Sequence, residues 1–264
     1  MQYTLFWMFA KLKERTLKTQ EERFDYVYSL TMSRSIGALI VSLMIVLSWF
    51  MHQSFVSMNC HRSPFSCLVW VAFIYHGWNE FKDYLDGKLA RHWRLDPPGV
   101  SFGAKLDIIF DAGPRIMVLI ALLVCEGIRL LCAPYANVDQ RAYFIISAGV
   151  ITTIIVRDFA ALAMRYLVET MTSEQERSEV VTSSDLIGKI KTWSIGLGSW
   201  LMISFYALFM KGDPQAITFY WLAIGAFGAA ILLSLWSLWR YTKAWYPVLH
   251  RVYQQQKSLA CARE

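Results

Sequence analysis

The chain has 264 residues, of which 56% are hydrophobic, 15% aromatic and only 17% charged, and its mean hydropathy is +0.35. This composition is typical of a protein that crosses the bilayer several times, and it argues against a soluble domain. The formal net charge of +6 lies mainly in short connecting segments. The position of these charges indicates membrane topology. No nucleic-acid partner is expected.

Residues 1–30 are predicted to form an amphipathic helix before the first membrane span. Phe6, Phe9 and Leu12 can form one apolar side, whereas the later lysine, arginine and glutamate side chains stay in water. We expect this helix to lie in the membrane interface. A soluble helix that packs on the membrane domain is the alternative.

An all-α fold with six transmembrane helices is predicted for the rest of the chain. Apolar runs long enough to cross about 30 Å of hydrocarbon occupy residues 35–51, 66–84, 104–131, 143–168, 193–210 and 217–240. We therefore divide the chain into the juxtamembrane helix, a membrane domain over residues 31–246 and a cytoplasmic tail over residues 247–264.

Lysine and arginine residues are distributed unevenly among the connections. They are concentrated before span one, between spans two and three, between spans four and five, and after span six. The positive-inside rule therefore places both termini on the cytoplasmic side. We expect an integral protein of the cytoplasmic (inner) membrane whose connection between spans two and three faces the cytoplasm.

Two polar clusters interrupt the apolar pattern where spans two and three meet the cytoplasm. At the end of span two, one helix face carries Asp83, Asp86, Gly87, Ala90 and Arg91. At the start of span three, a face with a four-residue spacing carries Gly103, Asp107 and Asp111. A Pro-Pro-Gly sequence between them ends the first helix, so the two faces are expected to bring four carboxylates together.

Four neighbouring carboxylates repel one another unless cations neutralise them. Mg²⁺ prefers oxygen ligands and commonly binds to carboxylates together with substrate phosphates, so the pattern predicts a site for a metal-bound diphosphate. His76 and Glu80 continue the face of Asp83, and we interpret His76 as a packed or interfacial residue. Because intramembrane carboxylates also mark ion pathways, a small transporter is a non-enzymatic alternative, as is an inactive scaffold.

The two clusters together resemble the signature of the CDP-alcohol phosphotransferase family, D-x-x-D-G-x-x-A-R followed by G-x-x-x-D-x-x-x-D. Every fixed position is filled, although the spacer HWRLDPPGVSF is longer than is usual in the family. The resemblance implies a six-helix membrane enzyme that forms a homodimer and acts on CDP-diacylglycerol. It also implies that the site opens to the cytoplasm.

The same resemblance implies roles for individual residues. Two Mg²⁺ or Mn²⁺ ions would be bound by Asp83, Asp86, Asp107 and Asp111. Asp111 would also act as the general base. The CDP side of the pocket would be lined by Asp83, Gly87, Ala90 and Arg91.

Basic residues in the second half of the chain bear on the acceptor. We expect the phosphate of a small anionic acceptor to be held by cations at two helix ends, namely Arg157, Arg165, Lys189 and Lys191. The segments VRDFAALAMRYL, IGKIKTW and LTMSR resemble parts of phosphatidylglycerophosphate synthases, which implies glycerol 3-phosphate as the acceptor. Further candidate pocket residues are Thr31, Arg34 and Gly103.

Departures from the synthase pattern leave other acceptors open. Asp158 replaces the usual Glu, and Ala112 follows Asp111 where these synthases generally carry Lys. Asp158 followed by Arg165 and Tyr166 is also similar to cardiolipin synthases, which use phosphatidylglycerol. An inositol phosphate acceptor is a further alternative.

Overall fold

The structure is a computed structural model, and it describes residues 10–14, 16–56, 65–93, 101–132, 138–171 and 186–261. Most of these residues lie in six long helices: α1 (Gln20–Val56), α2 (Ser66–His92), α3 (Ser101–Cys132), α4 (Val138–Met171), α5 (Leu186–Phe209) and α6 (Ala216–Cys261). The described ranges contain no strand. The predicted all-α class is confirmed.

Each predicted span falls in a different helix, and the fifth extends one residue past the end of α5. Within the part of the chain that the structure describes, four helical stretches could cross a membrane by length and composition, namely Gln20–Ser54, Arg141–Met164, Ile187–Phe209 and Ala216–Pro247. The aspartate-bearing helices α2 and α3 are not in this set. In α2, polar residues such as Asn79, Glu80 and Lys82 interrupt the apolar run. The count of six spans stays a prediction.

Local sequence signals explain where α1 begins and where α5 ends. At the start of α1, the Thr19 hydroxyl accepts a hydrogen bond from the Glu22 N–H at 3.1 Å, and the Glu22 carboxylate accepts one from the Thr19 N–H at 3.0 Å. This reciprocal pair is a capping box. After α5, Gly212 adopts a φ of 70°, and Asp213 donates its N–H to the carbonyl of Leu208. This Schellman turn closes α5 and leads directly into α6.

The segment before α1 packs on the end of α2. Residues 10–14 are helical, and Ala10 lies in an apolar cluster with Leu85, Leu89 and Trp93. Phe6 and Phe9 of the predicted amphipathic helix lie outside the described residues. The interfacial position of that helix therefore stays a prediction.

Helix α1 packs against both α2 and α3. Helices α5 and α6 form a closely packed hairpin, α5 also contacts α2, and α6 also contacts α4. Large side chains such as Trp49, Tyr206 and Phe227 fill the shared core. Both α1 and α6 run continuously across the domain boundaries predicted at residues 30 and 246, and those boundaries stay predictions.

Candidate functional site

A charged cluster connects α1 to α2 at the first half of the aspartate motif. The guanidinium of Arg34 forms ion pairs with the carboxylates of Asp83 and Asp86, the second at 3.4 Å. Arg34 and Asp86 are buried, whereas the Asp83 side chain is 39% exposed. A buried arginine needs such partners because an unpaired charge is costly away from water. The contact orients both aspartates toward α1.

Thr31 lies one helical turn before Arg34 and contacts Asp86, one of the two carboxylates that pair with Arg34. Its hydroxyl donates a hydrogen bond to Asp86 Oδ2 at 3.0 Å and also approaches the carbonyl of Val27 at 3.2 Å. The i, i+3 spacing places Thr31 and Arg34 on one side of α1. Asp86 is thus held by a cation and a hydroxyl, so its orientation is fixed from two sides.

The second half of the motif lies on α3. Gly103, Asp107 and Asp111 follow one another at successive helical turns within this helix, and the structure describes only the backbone at these positions. Pro114 lies inside the helix. Because proline has no N–H, it removes the helical hydrogen bond to the carbonyl of Phe110, immediately beside Asp111.

The residues predicted to line the CDP side lie on the last turns of α2. Ala90 is partly exposed, which is consistent with a position beside a ligand. Gly87 and Arg91 belong to the same helix, but the side chain of Arg91 lies outside the described part of the chain. Their role in binding CDP stays a prediction.

A second charged cluster brings together two of the four predicted acceptor residues. The carboxylate of Asp158 accepts a hydrogen bond from Arg157 at 2.7 Å, and Lys191 Nζ lies 3.7 Å from the same oxygen. This cluster joins α4 to the start of α5. Lys189 is exposed and is not in the cluster, and the side chain of Arg165 lies outside the described residues.

The described donors fit a hard divalent cation only in part. Asp83 and Asp86 supply carboxylate oxygens, the ligands that Mg²⁺ prefers. Among the side chains that the structure describes, no group of three or more His, Cys, Asp or Glu residues could hold a metal ion. This set leaves out the side chains of Asp107 and Asp111, so the two-metal site stays a prediction.

Sequence reasoning did not identify two polar residues beside the cluster. A small cavity next to Asp83 is lined by side chains that include Asn79 of α2 and Arg115 of α3. Arg115 follows Asp111 by four residues, as Asp111 follows Asp107. Extending the four-residue spacing by one more turn would therefore have identified it. Asn79 had no comparable signal.

Comparison with known proteins supports the family suggested by the motif. The model of the CDP-alcohol phosphatidyltransferase family matches residues 29–236, which include the described charged clusters and both halves of the aspartate motif. No curated protein and no solved structure matches the chain. The family match and the apolar helices together show an integral membrane transferase that takes a phosphatidyl group from a CDP-alcohol. The chain belongs to the CDP-alcohol phosphatidyltransferase family.

Proposed function

We propose that the protein transfers the phosphatidyl group of CDP-diacylglycerol to sn-glycerol 3-phosphate, which yields phosphatidylglycerophosphate and CMP. The observation that carries the proposal is the ion-pair network of Arg34 with Asp83 and Asp86. It holds two motif carboxylates side by side within the residues matched by the family. A structural role alone would not require these carboxylates in the spacing of the family signature.

The reaction that we propose needs a base beside the acceptor alcohol. Asp111 takes the proton of the primary hydroxyl, and the hydroxyl oxygen forms a bond to the phosphorus of the phosphatidyl group. The bond between that phosphorus and the bridging oxygen of the diphosphate breaks, and CMP departs. Gly87, Ala90 and Arg91 hold the CDP moiety at the end of α2.

Two Mg²⁺ or Mn²⁺ ions would be held by Asp83, Asp86, Asp107 and Asp111. When bound, they neutralise the diphosphate and stabilise the charge that develops as CMP leaves. Arg34 and Thr31 keep Asp83 and Asp86 oriented. Oriented ligands matter because Mg²⁺ demands nearly ideal octahedral geometry.

The choice of glycerol 3-phosphate is supported by the cluster of Arg157, Asp158 and Lys191. Two cations lie beside one carboxylate, and cations so placed can attract a phosphate. Arg165 and Lys189 complete the proposed acceptor set. We further propose a homodimer in the inner membrane, with the site facing the cytoplasm.

The test is CMP release by the purified protein in nanodiscs that contain CDP-diacylglycerol and Mn²⁺ or Mg²⁺. Glycerol 3-phosphate, inositol phosphate and phosphatidylglycerol are supplied in separate reactions. We expect CMP and phosphatidylglycerophosphate only with glycerol 3-phosphate. Turnover only with phosphatidylglycerol would instead identify a cardiolipin synthase, the class that Asp158 followed by Arg165 and Tyr166 also resembles. No metal-dependent CMP release with any acceptor would favour a transporter or a scaffold.

A pair of variants tests the general base. Asp111→Asn is expected to abolish CMP release while the protein stays folded, because an amide cannot accept the proton. Asp25→Asn is the matched control, since Asp25 is an exposed residue of α1. Wild-type rates in Asp111→Asn would remove the base assignment.

A further inference from the structure

A polar cavity lies beside Asp83, at the junction of α1, α2 and α3. Its volume is about 20 Å³, which is enough for one oxygen-sized group. Its polar lining consists of Arg34, His76, Asn79, Glu80, Asp83 and Arg115. Apolar residues of α1 and α3 complete the wall. A space with so many polar side chains around it calls for a polar occupant.

Three of the lining residues hold buried polar atoms without a partner among the described residues. Asn79 is 3% exposed and His76 is 4% exposed. Neither polar atom of the Asn79 amide has a hydrogen bond to a described residue, and the same is true of His76 Nε2 and Arg115 Nε. Because native proteins rarely leave buried polar groups unsatisfied, these atoms are arranged for a ligand or a solvent molecule.

The packing of α1 makes room for the Asn79 amide. A Cβ at position 37 would overlap the amide, with Nδ2 only 2.6 Å away. Gly37 therefore lets α2 approach α1 closely enough to enclose Asn79 beside the cavity. One Glu80 carboxylate oxygen instead lies toward α5, 3.3 Å from where a Cβ on Gly196 would be.

The cavity lies on the apolar side of the aspartates. Asn79 precedes Asp83 by one turn of α2, which corresponds to about 6 Å along the helix axis. Arg115 follows Asp111 by one turn of α3. Along the helices, the polar cavity thus lies between the aspartates and the apolar residues. A diacylglycerol donor has the corresponding order, since its ester carbonyls lie a few bonds from the phosphate, between it and the acyl chains. These carbonyl oxygens are the hydrogen-bond acceptors that such a lipid carries below its phosphate.

We infer that this cavity is a subsite for an ester carbonyl oxygen of the lipid donor, with the Asn79 amide as the principal hydrogen-bond donor. The inference rests on the proposed function, because it assumes a diacylglycerol donor whose phosphate reaches the aspartates. Nδ2 of Asn79 donates to the carbonyl, and Arg115 supplies a further N–H group. The subsite makes the enzyme selective for ester-linked over ether-linked lipids, since an ether lacks the carbonyl oxygen.

The test compares CDP-dioleoylglycerol with its dialkyl ether analogue that carries the same chains. Wild-type protein in nanodiscs is assayed for CMP release with glycerol 3-phosphate, and kcat/KM is expected to be about tenfold higher for the ester, since the ether leaves buried donors unpaired. In Asn79→Leu, kcat/KM for the ester should fall to the value for the ether. Gly37→Ala should also reduce the ratio of kcat/KM for the ester to kcat/KM for the ether, because the added methyl group displaces the Asn79 amide.

Gln53→Leu is the matched control, since it removes an amide near the opposite end of α1 and should leave the ratio unchanged. Thermal stabilisation of the purified protein by each donor gives the same comparison without turnover. Equal responses of the wild type to ester and ether, in both assays, would overturn the subsite and indicate a water-filled cavity. Metal-dependent CMP release would still support the proposed function in that case. Selective stabilisation by the ester without CMP release would support the subsite and contradict the proposed function.

Discussion

Arg34 of α1 forms an ion pair with Asp83 of α2 and lies 3.4 Å from a carboxylate oxygen of Asp86. One buried cation thus compensates two carboxylates of the family signature. Divalent ions would perform the same electrostatic task when they bind. The geometry therefore connects the stability of the α1–α2 junction to occupancy of the proposed metal site.

Removing the charge of Arg34 should make stability depend more strongly on metal. In Arg34→Met, Asp83 and Asp86 lose the cation that pairs with both of them, so their mutual repulsion increases and the free energy of unfolding should fall by about 3 kcal/mol. Saturating Mn²⁺ should restore part of this loss, so it should raise the melting temperature more in the variant than in the wild type. Thermal unfolding in detergent with and without Mn²⁺ measures the difference.

Arg141→Met serves as the control for that experiment, because Arg141 is exposed at the start of α4. It should respond to Mn²⁺ as the wild type does. An equal response of Arg34→Met and the wild type would show that the arginine and the metal do not act on the same carboxylates.

Thr31 should contribute to catalysis through Asp86. Thr31→Val keeps the shape of the side chain but removes the hydroxyl that donates to Asp86 Oδ2 at 3.0 Å. Hydrogen bonds to charged groups contribute about 1.5–3 kcal/mol, so kcat should fall by at least about tenfold if this orientation is needed in the transition state. Steady-state CMP release measures this effect.

Thr153→Val is the matched control for Thr31→Val. The Thr153 hydroxyl is exposed and bonds to the carbonyl of Gly149 in its own helix. Its removal should leave kcat unchanged. Equal rates in Thr31→Val and the wild type would mean that the Thr31 hydroxyl is not needed to orient Asp86.

The helical spacing of α2 and α3 was sufficient to predict which aspartates share a face, because α-helical geometry repeats every 3.6 residues. The same reasoning could not place α1 against them, since the choice of packing partner depends on side chains from several helices. Thr31 and Arg34 entered the prediction through resemblance to a family, and only the structure brings them to Asp86 and Asp83.

Asn79 illustrates what spacing cannot predict. It is adjacent to Glu80 in a polar stretch of α2, so the sequence gives no reason to separate the two. Its burial depends on Gly37 of another helix, which admits the amide at close range. Lys189 and Lys191 show the same limit. They are two residues apart, yet of the two only Lys191 lies in the Asp158 cluster. Side chains two positions apart on a helix point in different directions.

The two lysines should therefore differ in their effect on the acceptor. Lys191→Gln is expected to raise the KM for glycerol 3-phosphate about tenfold, since it removes a charge-assisted contact to phosphate, and to leave the KM for CDP-diacylglycerol unchanged. Lys189→Gln should have a smaller effect. Lys211→Gln, on the turn between α5 and α6, is the control. A larger effect at Lys189 than at Lys191 would place the acceptor outside the Asp158 cluster.

A buried polar network at the opposite end of α3 should affect stability and not chemistry. Tyr206 donates a hydrogen bond to Glu126 Oε1 at 2.7 Å, and Arg129 lies 3.6 Å from the other carboxylate oxygen. Tyr206→Phe leaves a fully buried carboxylate with one partner fewer, so the free energy of unfolding should fall by about 1–3 kcal/mol. The network lies about four helical turns from Asp111, so kcat per folded molecule should not change. Tyr84→Phe, at an exposed position of α2, is the control and should alter neither kcat nor the free energy of unfolding. A loss of kcat in Tyr206→Phe without a loss of stability would show that the two ends of α3 are coupled.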